Sequence, residues 1–551
     1  MFCYQCEQTA GNKGCTITGI CGKNPDTAAL QDLLVDVAKG VSKYATRARH
    51  LGVLEDSVDD FVTEALFTTV TNVNFDPERL AGMIRDGDTI RARARELYEQ
   101  ACRQAGQVPE MINGAATREL RTDLDGLIEQ GNLVSIRERL GGLGADLTGL
   151  QELLIYGVKG VAAYAHHAHV LGHEDPEVFA FIHKAMDAVT RANPTLDELF
   201  GLNLECGEIT VRVLALLDSA NTSSYGHPEP TEVLWGCVPG KAILVSGHDL
   251  KDLEELLKQT EGKGVNVYTH GEMLPGNSYP GLKKYKHLVG HYGGAWMRQR
   301  NEFSQFPGAI LMTTNCIQEP RQDYKNRIFT SGLVAWPGVD HVSNRDFSRV
   351  IEAALAAPGF TESSGEKKVT IGFGHHTVLS LSDKVIDAVK GGAIKHFFLI
   401  GGCDGAEPGR NYYTDLAEAM PQDTVALTLG CGKFRIMDVE MGDIGGIPRR
   451  LDMGQCNDSY SAVVVAQALA KAFQTDVNGL PLSLVISWFE QKAVCILLAL
   501  LHLGVKDIRL GPALPAFITP SVLNVLVEKF GIKPISTVEE DLPAMLNKNA
   551  A

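Results

Sequence analysis

At 551 residues the chain exceeds what one hydrophobic core ordinarily supports, so about two to four domains are expected. With 44% hydrophobic and 21% charged residues it has the composition of a folding chain, not a disordered one. The 51 basic side chains against 67 acidic ones leave a formal charge of -16, which argues against nucleic acid or an anionic bilayer as a partner.

The N-terminus opens directly into MFCYQCEQTAGNKGC, without the basic stretch and apolar run of an export segment, so a cytoplasmic setting is expected. In that setting the 12 cysteines stay reduced, and metal binding becomes the main alternative to disulfides. From about residue 27 to 220 apolar residues return every three or four positions, as in TAALQDLLVDVAKGVSKYATRARHLGVL, DDFVTEALFTTVTNV and DTIRARARELYEQACRQAG, which predicts packed helices. LQELLIYGVKGVAAYAHHAHVLG and PEVFAFIHKAMDAVTR continue that pattern beyond a glycine-rich boundary.

Near residue 222 the pattern changes to short β-rich runs alternating with amphipathic segments: KAILVSG, VNVYTHG and GAILMTTNC first. KKVTIGFG, IKHFFLIGGCDG, DTVALTLGCGKF, LSLVISWF and VKDIRLGPA follow from about 365 onward. The expected fold is therefore multidomain α and α/β: N-terminal helical bundles over 1–221, then two Rossmann-like α/β domains with largely parallel sheets over 222–364 and 365–551. The apolar run AVCILLALLHLGV is too short to span a bilayer and carries His502, so it reads as a buried helix and no segment is placed in a membrane.

The sharpest chemical feature is Cys3-x2-Cys6-x8-Cys15-x5-Cys21, four soft ligands close enough in sequence to wrap one compact iron-sulfur cluster. Gly11, Gly14 and Gly22 relieve the backbone of such a wrap. Tetrathiolate zinc is the main alternative, because the ligand chemistry overlaps, and ordinary free or disulfide-bonded cysteines are a lesser one. Farther along, Cys316, Cys403 and Cys431 close apolar runs, and the carboxyl ends of parallel strands converge on one crevice. Cys456 and Glu490 can add sulfur and oxygen there, and His248 and Glu272 can reach it from the first α/β domain. Each has an ordinary alternative: a capping or satisfied polar role for His248, Glu272 and Glu490, a buried thiol for each cysteine.

Lesser candidates are weaker. Lys492 can serve a proton network, although a solvent-facing lysine is the commoner reading, and Asn315 can orient a polar substrate or form a turn. His375 and His376 can relay protons or bind metal, though structural roles are more common; Cys102, Cys206, Cys237 and Cys495 read as buried thiols. No complete glycine fingerprint for a phosphate or dinucleotide is present.

At these residues the chain closely resembles the hybrid-cluster protein family, also called prismane proteins or hydroxylamine reductases. The resemblance spans essentially the whole chain, through MFCYQCEQT to GICGK, SGHDL, THGEMLP, TTNC, GGCDGAEPGR, TLGCGKFR, GQCNDSYSA and SWFEQKAVCILLALL in family order. It implies a [4Fe-4S] cluster on Cys3, Cys6, Cys15 and Cys21, the compact spacing matching the cubane branch. It further implies a hybrid [4Fe-2O-2S] cluster on His248, Glu272, Cys316, Cys403, Cys431, Cys456 and Glu490, with Cys403 at the position that can carry a persulfide. Catalytic roles for Glu490 and Cys403 follow from the same resemblance. The implied activity is hydroxylamine reduction, with electrons entering from a protein donor through the N-terminal cluster. Nitric oxide reduction to nitrous oxide and protein S-nitrosylation are the alternatives. The family's architectural kinship with carbon monoxide dehydrogenases does not transfer their reaction, and the oligomeric state is open, a monomer included.

Overall fold

The computed structural model describes residues 1–365 and 367–547. After the cysteine wrap come helices α1 (Pro25–His50), α2 (Asp56–Thr68), α3 (Pro77–Gln104), α4 (Leu124–Leu133), α5 (Ile136–Leu143), α6 (Ala145–His169), α7 (Pro176–Ala188) and α8 (Leu196–Tyr225). Local chemistry sets their starts. Asn24 accepts a hydrogen bond from the Thr27 amide with Pro25 in the first turn of α1, and Thr195 and Glu198 form a capping box on α8. The expected helix over DDFVTEALFTTVTNV ends early, at Thr68. Its β-branched tail instead leads into a bridge between Asn74 and Ala335, since Thr and Val lose rotamer freedom in a helix.

Two six-stranded, all-parallel sheets follow. The first contains β1 (Lys241–Ser246), β2 (Val265–His270), β3 (Leu288–His291), β4 (Ala309–Met312), β5 (Ile328–Ser331) and β6 (Asp340–Val342), in the order β3-β2-β1-β4-β5-β6. The second contains β7 (His396–Gly402), β8 (Thr424–Gly430), β9 (Arg450–Asp452), β10 (Leu482–Ser487), β11 (Arg509–Gly511) and β12 (Lys533–Pro534), in the order β9-β8-β7-β10-β11-β12. Each sheet has the doubly wound Rossmann order, with a switch point between its first and fourth strands. The expected two α/β units are therefore present.

One strand lies elsewhere than expected. Lys368–Ile371, within KKVTIGFG, joins neither large sheet but pairs antiparallel with Thr231–Leu234, tying the start of the first α/β region to the start of the second.

The second sheet carries α9 (Ser459–Phe473), α10 (Gln491–His502) and α11 (Pro520–Phe530). Helix α10 is the expected buried AVCILLALLH segment, and it packs against α6 and α8. Gly207 on α8 permits the approach, because a Cβ there would lie 2.1 Å from the Leu498 carbonyl oxygen. The helical core thus continues through Val494, Cys495, Leu498 and Leu501, each a buried side chain contributing about 1.5–3 kcal/mol if apolar and large. That anchoring fixes the first residues of α10, where the candidate site begins.

Candidate metal centre

The N-terminal wrap is closed by two backbone hydrogen bonds, Cys3 N to Cys15 O at 3.1 Å and Cys15 N to Cys3 O at 2.8 Å. The Ala10 amide points at Cys15 Sγ at 3.4 Å, and Thr9 Oγ1 lies 3.8 Å from it. All four cysteines are free of disulfides. Burial, then Cys3 and Cys21, and more weakly Cys15, push the Cys6 thiol well above its ordinary range, so the other three cysteines lie within electrostatic reach of it. Free thiols grouped this way, with a backbone amide donating to sulfur, fit a cluster held by thiolates.

The larger site forms where the carboxyl ends of both sheets meet. His248 follows β1, Glu272 follows β2, and Cys316 lies four residues past the end of β4. Cys403 and Cys431 directly follow β7 and β8, Cys456 follows β9, and Glu490 follows β10 as the N-cap of α10. Convergence at strand ends was expected within one parallel sheet; it is achieved by two, each contributing at its switch point. All seven residues line one cavity of about 130 Å³. Cys316 has φ 74°, a left-handed conformation uncommon for any residue but glycine. Gly402 has φ 109°, and a Cβ there would lie 1.8 Å from Ser487 O, so only glycine lets β7 deliver Cys403 beside β10.

Polar contacts fix the individual side chains. His248 Nδ1 lies 3.1 Å from Thr314 Oγ1, leaving Nε2 3.4 Å from Glu272 Oε2. Glu272 Oε2 accepts from the Cys456 amide at 2.8 Å, and Tyr164 Oη donates to Cys456 Sγ at 3.3 Å. The His248, Glu272 and Cys456 ligand atoms lie within 4.8 Å of one another. Gln455 Nε2 bridges the two halves by donating to the His248 and Glu272 carbonyl oxygens, at 3.1 and 2.8 Å. Glu490 Oε1 accepts from Asn315 Nδ2 at 3.2 Å, and Asn315 Oδ1 accepts from Lys492 Nζ at 2.7 Å.

Electrostatics favour a bound cation. Burial, then Lys492, lowers the His248 pKa, leaving a neutral imidazole competent to ligate. Burial drives the Cys316, Cys403 and Cys431 thiols well up, so only strong positive charge would keep all of them as thiolates. Burial alone would lower Lys492, but Cys456 and Glu490 outweigh it and hold the ammonium charged. A mixed sulfur, nitrogen and oxygen donor set around an enclosed cavity fits a cluster carrying both sulfide and oxygen bridges.

Lys492 is 1% exposed, contrary to the solvent-facing reading, because α10 is buried from its first turn. Asn315 joins the site through Glu490 and Lys492, as a hydrogen-bond bridge. His375 and His376 do not line the cavity; His376 stacks on His227 at 4.2 Å and His375 meets Ser461 Oγ. Cys102, Cys206, Cys237 and Cys495 are buried and free. Sequence reasoning missed Thr314, Tyr164 and Trp296. Thr314 lay within the quoted TTNC run, whereas Tyr164 sits in an apolar helix with nothing local to mark it.

The N-terminal wrap and the larger candidate site are joined by hydrogen bonds and packing. Gln491 Nε2 donates to Gln5 O at 2.6 Å, and the Glu7 amide donates to Phe489 O at 3.0 Å. Cys6 packs with Trp296, Phe489 and Cys431, and the Trp296 and Phe489 rings stack at 4.2 Å.

The chain is 58% identical over 545 residues to a hydroxylamine reductase of Rhodospirillum rubrum, covering 99% of each chain. It is 56% identical to hydroxylamine reductases of Geobacter metallireducens and Methanocella arvoryzae, over 100% and 99% of this chain and the whole of each relative. Among solved structures, carbon monoxide dehydrogenase from Thermococcus sp. AM4 superposes with TM-score 0.55 at 17% identity, covering 100% of this chain and 90% of that one. A chain of an acetyl-CoA synthase/carbon monoxide dehydrogenase structure gives 0.56 at 15% identity, covering 99% and 87%. These two likenesses concern the fold. Residues 1–543 match the model of the Prismane/CO dehydrogenase family, and the chain belongs to that family.

Proposed function

We propose that the protein is an iron-sulfur oxidoreductase that reduces hydroxylamine, NH2OH plus two electrons and two protons giving NH3 and H2O. The reading is carried by seven ligand-type side chains from two sheets converging on one cavity, beside a buried ammonium. The names of its full-length relatives support the substrate. We assign Cys3, Cys6, Cys15 and Cys21 to a [4Fe-4S] cluster, and His248, Glu272, Cys316, Cys403, Cys431, Cys456 and Glu490 to a hybrid [4Fe-2O-2S] cluster. When bound, that cluster supplies electrons and an iron site for reduction of the N–O bond.

The chain's own residues manage position and protons. Lys492 holds a proton on Nζ, 3.6 Å from Glu490 Oε1, and can deliver it to the departing hydroxyl oxygen. Glu490 is oriented by Asn315 and by the Lys492 amide at 2.7 Å, so its carboxylate faces the cavity without collapsing onto the ammonium. Electrons enter from a protein donor at the N-terminal wrap and pass toward the cavity past Cys6, Phe489 and Trp296. We take 1–221, 222–364 and 365–551 as working units and the cytoplasm as the setting. No helix among the described residues is long and apolar enough to cross a membrane.

Isotopically labelled hydroxylamine supplied anaerobically with a reductant should yield labelled ammonia in equal amount. Labelled hydroxylamine recovered unchanged by fully loaded, reduced protein would refute the assignment.

One observation favours a second reading. Beyond the ligands the cavity continues between the second sheet and α9 and α10, walled by Leu399, Leu429, Leu484, Ile496 and Leu500. An apolar passage suits nitric oxide better than hydroxylamine, and two NO with two electrons and two protons give N2O and H2O. Labelled nitrous oxide from labelled nitric oxide, at a rate exceeding ammonia formation, would favour it.

A further inference from the structure

A second cavity, of about 30 Å³, touches Cys3 and is walled by α1, α5 and α6. Its lining holds Lys23, Lys39, Lys159 and Arg139 against Asp32 and Glu152. Arg139 and Glu152 pair with each other. The three lysines are 5%, 7% and 5% exposed, and none of them forms an ion pair among the described residues. Lys159 Nζ has only neutral partners, Gln5 Oε1 at 3.2 Å and Thr69 O at 3.3 Å. Asp32 is the one carboxylate left in the lining, and Asp36, which also acts on Lys39, is paired with Arg118, so the lining carries two positive charges in excess.

Burying an ammonium without a counter-ion is strongly unfavourable, so three of them gathered in one place call for an anion. Burial and then Arg139 bring Lys39 down to about 8, and burial and then Lys23 do the same to Lys159. The chain's own carboxylates therefore do not satisfy these cations. What adjoins them is the cysteine quartet: Cys3 lines the cavity, and Lys23 lies two residues past Cys21. A cubane held by four thiolates is anionic when oxidised and gains one further negative charge when reduced.

We propose that Lys39 and Lys159, together with Lys23, are the buried countercharge of the N-terminal cluster and raise its reduction potential, with Asp32 opposing them. The inference rests on the assignment of a cluster to the quartet. In a low-dielectric interior each ammonium stabilises the reduced form more than the oxidised one, because the reduced form carries more negative charge. The N-terminal centre is thereby made an acceptor that takes an electron from a moderate donor and holds it until the hybrid site demands it. Lys159 also ties this charge to the path between centres, since its partner Gln5 accepts, at its carbonyl, the Gln491 hydrogen bond from the start of α10.

The test is an anaerobic redox titration of the purified, cluster-loaded protein, followed by the electron paramagnetic resonance of the reduced N-terminal cluster. Lys39→Met and Lys159→Met should each lower its midpoint potential, Asp32→Asn should raise it, and the hybrid-site transitions should move much less. Opposite signs separate charge from packing, since loosened packing or admitted water would move all three variants the same way. Should either methionine variant lose the cluster, Lys39→Gln and Asp32→Asn carry the same test. Unmoved potentials with intact signals, or shifts of one sign throughout, would overturn the proposal. A parent potential that depends on chloride, with the dependence lost in Lys39→Met, would place a free anion in the cavity and overturn it equally. A parent protein with no reducible iron-sulfur signal from the quartet would instead remove the assignment beneath it.

Discussion

Glu490 and Lys492 sit two residues apart, yet the start of α10 gives them different tasks. Glu490 caps the helix and turns its carboxylate into the cavity; Lys492 stays charged in the interior because carboxylate and sulfur surround it. Glu490→Gln keeps the volume and removes the charge. Hydroxylamine turnover should fall about 10–100-fold with altered hybrid-site spectra, while the far-ultraviolet circular dichroism is unchanged. Full turnover with unaltered spectra would show that the carboxylate is not needed. Lys492→Met removes the buried proton donor, so kcat should fall about 100-fold or more with KM changed far less, as measured by steady-state assay at matched iron content. These two residues also mark how far sequence reaches. The cysteine quartet stands out in the sequence because its four thiols are neighbours in the chain. The burial of Lys492 was not, because a lysine at a helix start is ordinarily solvated and only the packing of α6 and α8 around α10 closes that position.

At the scale of elements, strand ends do the positioning. Gly402→Ala places a Cβ against the Ser487 carbonyl and forces β7 away from β10. The variant should lose of order 3 kcal/mol in stability. Its hybrid-site signals should disappear while those of the N-terminal cluster persist, read by iron analysis and paramagnetic resonance. The alternation of apolar runs with amphipathic segments made both Rossmann-like units legible. It did not reveal that Lys368–Ile371 leaves the second sheet for an antiparallel pair, because a short β-rich run carries no mark of its partner. The seam between α2 and α6 offers a pH test. His166 packs on Phe67, with ring centroids 5.5 Å apart; burial, then His169 and Arg345, lower its pKa from 6.5 to about 4. The unfolded chain therefore binds this proton first as pH falls. The stabilisation is complete above about 6.5 and is lost on the way to about 4. His166→Met should lose about 2 kcal/mol less stability than the parent between about pH 7 and pH 5, from Tm measured on both proteins at each pH.

At the scale of the whole molecule, the two sheets use equivalent strand ends. His248 and Cys403 follow the first strand of their units, Glu272 and Cys431 the second, and Cys316 and Glu490 the fourth. This quasi-equivalence explains why residues so distant in sequence share one cavity. It was beyond sequence reasoning, which supplied the residue types but not the facing of two sheets. The N-terminal wrap, proposed as the electron entry, is held to the start of α10 through Gln5 and Glu7. Replacing Cys3 and Cys6 together by Ser should abolish the first cluster, leave hybrid-site signals at substantial occupancy, and sharply reduce turnover driven by a protein donor. A small, strongly reducing mediator should restore part of it. Rates normalised to hybrid-site iron decide this. The central claim, two separate iron centres in one chain, is tested most directly by Mössbauer spectroscopy of anaerobically prepared protein with parallel iron, sulfide and zinc analysis. The account predicts two resolved sets of iron signals, one of them lost in the Cys3 and Cys6 double variant; stoichiometric zinc as the sole tightly bound metal, after reconstitution that preserves iron clusters, would contradict it.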